Sequence, residues 1–227
     1  MDITFLGQSA FTIAGEGFEI LTDPFLTGNP KASTSADDVN PTHILLTHGH
    51  QDHFGDVVDI AQRTGATVVA PTEIADELQS EHGLENVLDP NIGGTVTFDW
   101  GWVKLVPAWH TSTTPAGTAC TPMGLLIKVE DKVVYFTGDT CLFSDMQLHA
   151  RRGDGVDVAI LPIGGHYTMD RHDAVTAVEL ISPKTVIPCH YDTFPPVETD
   201  AEAFKSDVES STGATCVLLA PGETHAE

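Results

Sequence analysis

His48, His50, Asp52 and His53 fall close together in the stretch "LLTHGHQDHFGD". Imidazole nitrogens and carboxylate oxygens are donor atoms that divalent cations accept, and spacings of two, two and one gather four of them at one point of the chain. A plain hydrophilic turn would use Lys, Ser or Asn there. The pattern is that of a metal site. Further ligand-type side chains stand just beyond three more apolar runs: His110 ends "VKLVPAWH", Asp139 ends "VVYFTGD" and His190 ends "TVIPCH". Residues that finish neighbouring strands converge on one end of a sheet even when far apart in sequence. Seven donors exceed what one four-coordinate ion uses, whereas two ions sharing one carboxylate use them all.

The elements that must carry these residues are legible in the periodicity. "HILLT" is a short buried strand, so the cluster begins where that strand emerges, and "GDVVDIAQRTGA" after it has helical spacing that ends near Gly65. The chain opens with three β-rich runs, "DITFLG", "AFTIAG" and "FEILTDP", separated by Gly-containing turns as in an antiparallel meander. Strands and helices then alternate. "ATVVAP" precedes the helical "TEIADELQSEHG", "MGLLIKV" and "KVVYFTG" flank a compact turn at Glu130–Asp131, and "VDVAILPIGG" is a further strand. Ala174, Ala177, Val178 and Ile181 share one helical face, as do Ala201, Phe204 and Val208 before a stop at Gly213. Roughly ten to twelve strands and four or five helices predict an α/β fold of two sheets covered outside by helices, in one domain spanning residues 1–227.

Composition narrows the function. With 33 acidic and 10 basic residues the formal charge is −23, which repels phosphate backbones and anionic lipid. Arg151 and Arg152 form the one basic pair, so nucleic acid is not an expected partner. The dispersed acidic residues and scarce lysine resemble proteins of salt-accumulating microbes. No apolar run nears the ~20 residues of a membrane span, so no membrane anchor is expected. The start, "MDITFLGQSAFTI", lacks the basic and apolar regions of a signal peptide, which predicts a cytoplasmic protein. Cys120, Cys141, Cys189 and Cys216 form no CxxC pair and read as reduced thiols. Cys189 adjoins His190, but neighbouring strand residues point to opposite faces, which argues against a Cys/His nucleophile.

The ordered set HxHxDH, later His, later Gly-Asp, later His resembles the metallo-β-lactamase superfamily over nearly the whole chain. The resemblance implies a four-layer αββα sandwich with the site at one edge of the sheets. It assigns His48, His50 and His110 to a first metal, Asp52, His53 and His190 to a second, and Asp139 to a bridge between them. Asp23 of "LTDP" would orient a ligand histidine, or else only form the Asp-Pro turn. "FLGQSAFTI", "LPIGGHYTM" and "PCHYDTFP" look most like a branch of metal-dependent hydrolases related to ascorbate-6-phosphate lactonases and, more remotely, to N-acylphosphatidylethanolamine phospholipase D. A bridging Asp rather than Cys departs from true β-lactamases, and His50 stands where flavo-diiron relatives carry Glu.

The resemblance thus implies a dinuclear hydrolase of a small-molecule ester, lactone or phosphodiester. A metal-bound hydroxide would attack while Asp52 and Asp139 orient it. Two divalent ions are expected, with zinc suited to histidine-rich ligation and manganese, iron or nickel able to take the same shell. His166, Tyr167, Thr168 and Tyr191 are candidate substrate contacts, Phe194 a candidate wall, and the loop Thr111–Pro122 a candidate lid. His166 could also serve as an extra acid or base. His172 belongs to a helix start capped by Asp170, and His43, His82, His149 and His225 are expected on the surface. Homo-oligomerisation is compatible with this reading. Two rivals stand beside it: a non-catalytic sensing or binding protein that uses the metals, and a nuclease, which the charge disfavours.

Overall fold

A computed structural model describes residues 1–150 and 155–227, so the Arg151–Arg152 pair lies outside the described residues. The first half of the chain supplies β1 (Asp2–Gly7), β2 (Ala10–Gly15), β3 (Phe18–Thr22) and β4 (His43–Leu45). It continues through α1 (Gln51–Phe54), α2 (Val57–Thr64), β5 (Thr67–Val69), α3 (Thr72–Ser80) and β6 (Val87–Leu88). The second half supplies β7 (Thr95–Phe98), β8 (Gly101–Pro107), β9 (Met123–Val129), β10 (Lys132–Phe136), α4 (Met146–Ala150) and β11 (Val158–Pro162). After α5 (Arg171–Ile181) and β12 (Thr185–Cys189) come a 3₁₀ turn at Pro195–Val197, α6 (Ala201–Ser211), β13 (Thr215–Cys216) and β14 (Thr224–Ala226).

Two seven-stranded sheets result, ordered β14-β1-β2-β3-β4-β5-β6 and β13-β12-β11-β10-β9-β8-β7. In each, an antiparallel meander gives way to parallel strands, at β3–β4 in the first sheet and at β10–β11 in the second. The alternation of side chains along a strand explains the layering. Leu45 and Val69 of the first sheet point inward to meet Phe136, Ile160 and Ile187 of the second. Their chain neighbours Ile44 and Val68 point outward onto Val57 and Ile60 of α2 and Ile74 and Leu78 of α3. On the far side Tyr135, Leu161 and Val186 meet Ala174, Ala177, Val178 and Ile181 of α5 and Phe204 and Val208 of α6. The order is helix, sheet, sheet, helix, as the apolar stripes required. Among the described residues no helix is long and apolar enough to cross a membrane.

Helix ends follow local chemistry. Gly65 closes α2 at φ 72, a left-handed conformation that costs glycine little. The Asp170 carboxylate accepts from the amides of His172 and Asp173 and so starts α5. The fold has more elements than periodicity predicts: β6, β7, β13, β14, α1 and α4 have two to five residues, too few for periodicity to show. Four histidines expected on the surface are half-buried. His43 accepts a hydrogen bond from Trp100 Nε1 at 3.3 Å and meets Phe98 edge to face. His82 lies 3.8 Å from the buried Glu77, His149 packs on Tyr135, and His225 lies 3.3 Å from Glu227. For His43 the partner lies 57 residues away, which no local pattern reveals.

Candidate metal centre

The site forms where strands of both sheets end. β3 leads to Asp23, β4 to His48 and His50, β8 to His110, β10 to Asp139 and β12 to His190, while the single turn of α1 carries Asp52 and His53. All seven donors named from the sequence meet here. One nitrogen from each of His48, His50 and His110 lies within 4.8 Å of the others, and so does one donor atom from each of Asp52, His53 and His190. Asp139 stands between the groups, its Oδ2 at 3.7 Å from His110 Nε2, 3.4 Å from His53 Nε2 and 3.1 Å from His190 Nε2. His48, His53, Asp139 and His190 form a buried floor, and His50, Asp52 and His110 are half-buried around its opening.

Asp23 also approaches His48 and His53, but its oxygens are already committed. Oδ1 accepts from the Thr47 amide at 2.8 Å, and Oδ2 accepts from the Thr47 hydroxyl at 2.6 Å and pairs with His53 Nδ1 at 2.8 Å. The carboxylate fixes the His53 ring so that Nε2 faces Asp52 and Asp139. Asp23 therefore holds a donor and is not merely a turn residue. Its φ of 37 is a left-handed conformation that Asp tolerates better than most side chains.

Charge follows from this crowding. Burial alone would depress His53, yet the carboxylates of Asp139, Asp52 and Asp23 outweigh it and hold its pKa well above the usual imidazole range. His190 is likewise pushed up to about 9 by Asp139 and Asp52 against the cost of burial. Burial opposes ionisation of Asp139 and Asp52 too, but His190 and His53 keep both carboxyls well below their ordinary range. His48, His50 and His110 are lowered, first by burial, which favours the neutral ring that a metal ion binds. The donor set fits divalent cations on a structural ground as well. His53 Nε2 and Asp139 Oδ1 are buried without a hydrogen-bond partner, as metal-facing atoms would be.

Gln8 was not singled out by sequence, although it stands in "FLGQSAFTI" at the end of an apolar strand as the donors do. Its Nε2 donates to Asp52 Oδ2 at 2.9 Å, and its main-chain oxygen accepts from the His190 amide at 2.8 Å. One residue thus grips two members of the same donor group. Gln8 at φ 57 and His190 at φ 53 both adopt the left-handed region, a cost the surrounding contacts must offset.

A cavity of about 580 Å³ opens over the cluster, its remaining walls formed by Phe25, Gln51, Thr111, Tyr167, Phe194 and Pro196. Of the candidate substrate contacts, only Tyr167 and the candidate wall Phe194 line it. His166 is exposed with its ring edge-on to Tyr167 at 4.5 Å, and the Thr168 hydroxyl turns to its neighbour Met169. Tyr191 faces a separate cavity and packs beside the α5–α6 core, following the left-handed bend at His190. The loop Thr111–Pro122 is a pinned hairpin rather than a loose flap. Thr113 bridges Ala119, Ser112 Oγ accepts the Gly49 amide at 2.9 Å, and the Thr114 hydroxyl donates to Glu77 at 2.6 Å. A Cβ on Gly49 would lie 2.8 Å from Thr114 Cγ2, so glycine permits this close approach. Cys189 lies between the sheets with burial pushing its thiol pKa well up, which makes it no nucleophile.

Helix-covered paired sheets with a histidine–aspartate cluster at one rim are the architecture of the metallo-β-lactamase fold. A profile of the beta-lactamase superfamily domain matches residues 2–190. The chain is 46% identical over 230 residues to a UPF0173 metal-dependent hydrolase of Staphylococcus aureus (strain JH9), with 99% of each covered. It belongs to the beta-lactamase superfamily and, within it, to this family of metal-dependent hydrolases. Igni18, a metallo hydrolase of the archaeon Ignicoccus hospitalis KIN4/I, superposes with a TM-score of 0.89 at 37% identity, covering 99% of this chain and 97% of that one. The metallo-beta-lactamase fold protein YhfI of Bacillus subtilis shares the fold alone, with a TM-score of 0.74, 13% identity, and 99% and 98% covered.

Proposed function

We propose that residues 1–227 form one domain that hydrolyses an ester, lactone or phosphodiester, with two divalent ions, zinc in the first instance, held at the histidine–aspartate cluster. His48, His50 and His110 would hold one ion, Asp52, His53 and His190 the other, and Asp139 both. The observation that carries this reading is Asp139 Oδ2, within 3.7 Å of His110 Nε2 and 3.4 Å of His53 Nε2, and so shared between the two donor groups. Such ions acidify water to ionise near pH ~7 and polarise a scissile oxygen. The chain supplies the rest. Asp52, half-buried at the cavity and held ionised, can accept a hydrogen bond from an attacking water and orient it. Gln8 restrains that carboxylate, and Asp23 restrains His53. Phe25 and Phe194 border the reacting centre with apolar surface. A cytoplasmic location agrees with the reduced thiols and accompanies this reading.

The test is a panel of esters, lactones and phosphodiesters with zinc-loaded protein. Turnover is expected to vanish with chelator and return with zinc, and label from ¹⁸O-water should enter the product in a single turnover. Chelator-resistant turnover, or label lodged first in the protein, would contradict the water-based reaction. No turnover across the panel with two ions bound would favour a sensing role.

Gln8→Gly gives a second expectation. Glycine suits the left-handed backbone, so the change removes the amide without straining the chain. The affinity of the weaker metal equivalent should fall by about tenfold, the scale of losing a partner that orients a ligand. A titration showing both affinities unchanged would remove Gln8 from the account.

A further inference from the structure

We infer that the cavity above the cluster takes an ester or lactone whose non-reacting part is an uncharged, apolar chain. The inference rests on the hydrolase reading and adds the substrate class. Beyond the metal-facing residues, Phe25, Phe194, Pro196 and Tyr167 form most of the wall, with the Phe25 and Phe194 ring centroids 6.3 Å apart. The backbone that carries each ring is anchored. Asp56 accepts the amides of Leu26 and Thr27 at 2.8 and 2.9 Å next to Phe25, and the Phe194 carbonyl accepts the Val197 amide at 3.0 Å. A preset apolar slot favours an apolar chain by the area it removes from water.

No Arg or Lys among the described residues lines this cavity. Arg63 is committed to the carbonyls of Ala36 and Val39, Lys104 to Gly93, Lys132 to Glu227, Arg171 to Asp207 and Lys184 to Asp157. Lys31 lines a different cavity. A carboxylate or phosphate at the far end of a substrate would lose water against aromatic walls with no Arg or Lys among the described residues to receive it, inside a protein of charge −23.

Matched probes isolate the point. On zinc-loaded protein, kcat/KM should rise about two- to fourfold per methylene from p-nitrophenyl acetate to hexanoate. The p-nitrophenyl monoester of adipic acid, which ends in a carboxylate, should be at least about tenfold poorer than the hexanoate. Phe194→Lys should reverse that order by supplying the missing cation. Binding is read separately by calorimetry with two inert ketones, 2-octanone and 7-oxooctanoate, and the neutral one should bind tighter. Ester turnover with the carboxylate preferred, or ketone binding that favours the anion or detects neither, overturns this inference. Preferred binding of 2-octanone with no ester or lactone hydrolysed would instead refute the hydrolase reading and leave the apolar slot standing.

Discussion

Asp139→Ala is expected to lower turnover by about 10³-fold or more and to leave close to one metal ion per chain, because it removes the one anionic group shared by both donor groups. Its carboxylate is buried, and Oδ2 lies 3.1 Å from His190 Nε2 and 3.4 Å from His53 Nε2. Without it, two divalent ions would sit closer to unshielded repulsion, and the second would bind weakly. Asp139→Asn keeps the volume and one oxygen but not the charge, so it should fall between wild type and Ala in metal retention. Circular dichroism separates this effect from misfolding. Asp139→Ala with both ions and full rate would show that the shared carboxylate is misassigned.

The second large effect is on stability. Asp23→Ala should destabilise the metal-free protein by about 3–5 kcal/mol, since it strands a buried amide, a buried hydroxyl and a buried imidazole that share this carboxylate. The left-handed φ of 37 adds to the cost, because alanine tolerates it less well than aspartate. Asp23→Asn retains that tolerance and one acceptor, so it should lose less stability while still releasing the His53 ring. Urea unfolding measures the first effect and metal titration the second. A loss under ~1 kcal/mol for Asp23→Ala would mean that the hydrogen bonds to Thr47 and His53 are replaced by others.

How much of this was legible before the structure depends on whether the signal was local. His48, His50, Asp52 and His53 announce themselves because four donors lie in one short stretch, and His110, Asp139 and His190 because each ends an apolar run. The β9–β10 hairpin and the stripes of α5 and α6 follow from spacing in the same way. Gln8 was missed because a lone amide carries no pattern, and its role appears only where β1 meets α1. Tyr191 was misplaced because proximity to His190 in sequence does not survive the left-handed turn at His190. The loop after His110 looked free in its Thr, Pro and Gly content, yet Ser112 and Thr114 tie it to Gly49 and Glu77, contacts that span tens of residues.

The central claim is a two-ion centre bridged by Asp139. Metal analysis of wild-type protein, reconstituted with zinc and freed of loosely held ions, tests it most directly. The account predicts close to two zinc ions per chain, falling to about one in Asp139→Ala. Saturation at a single equivalent in the wild type would contradict it.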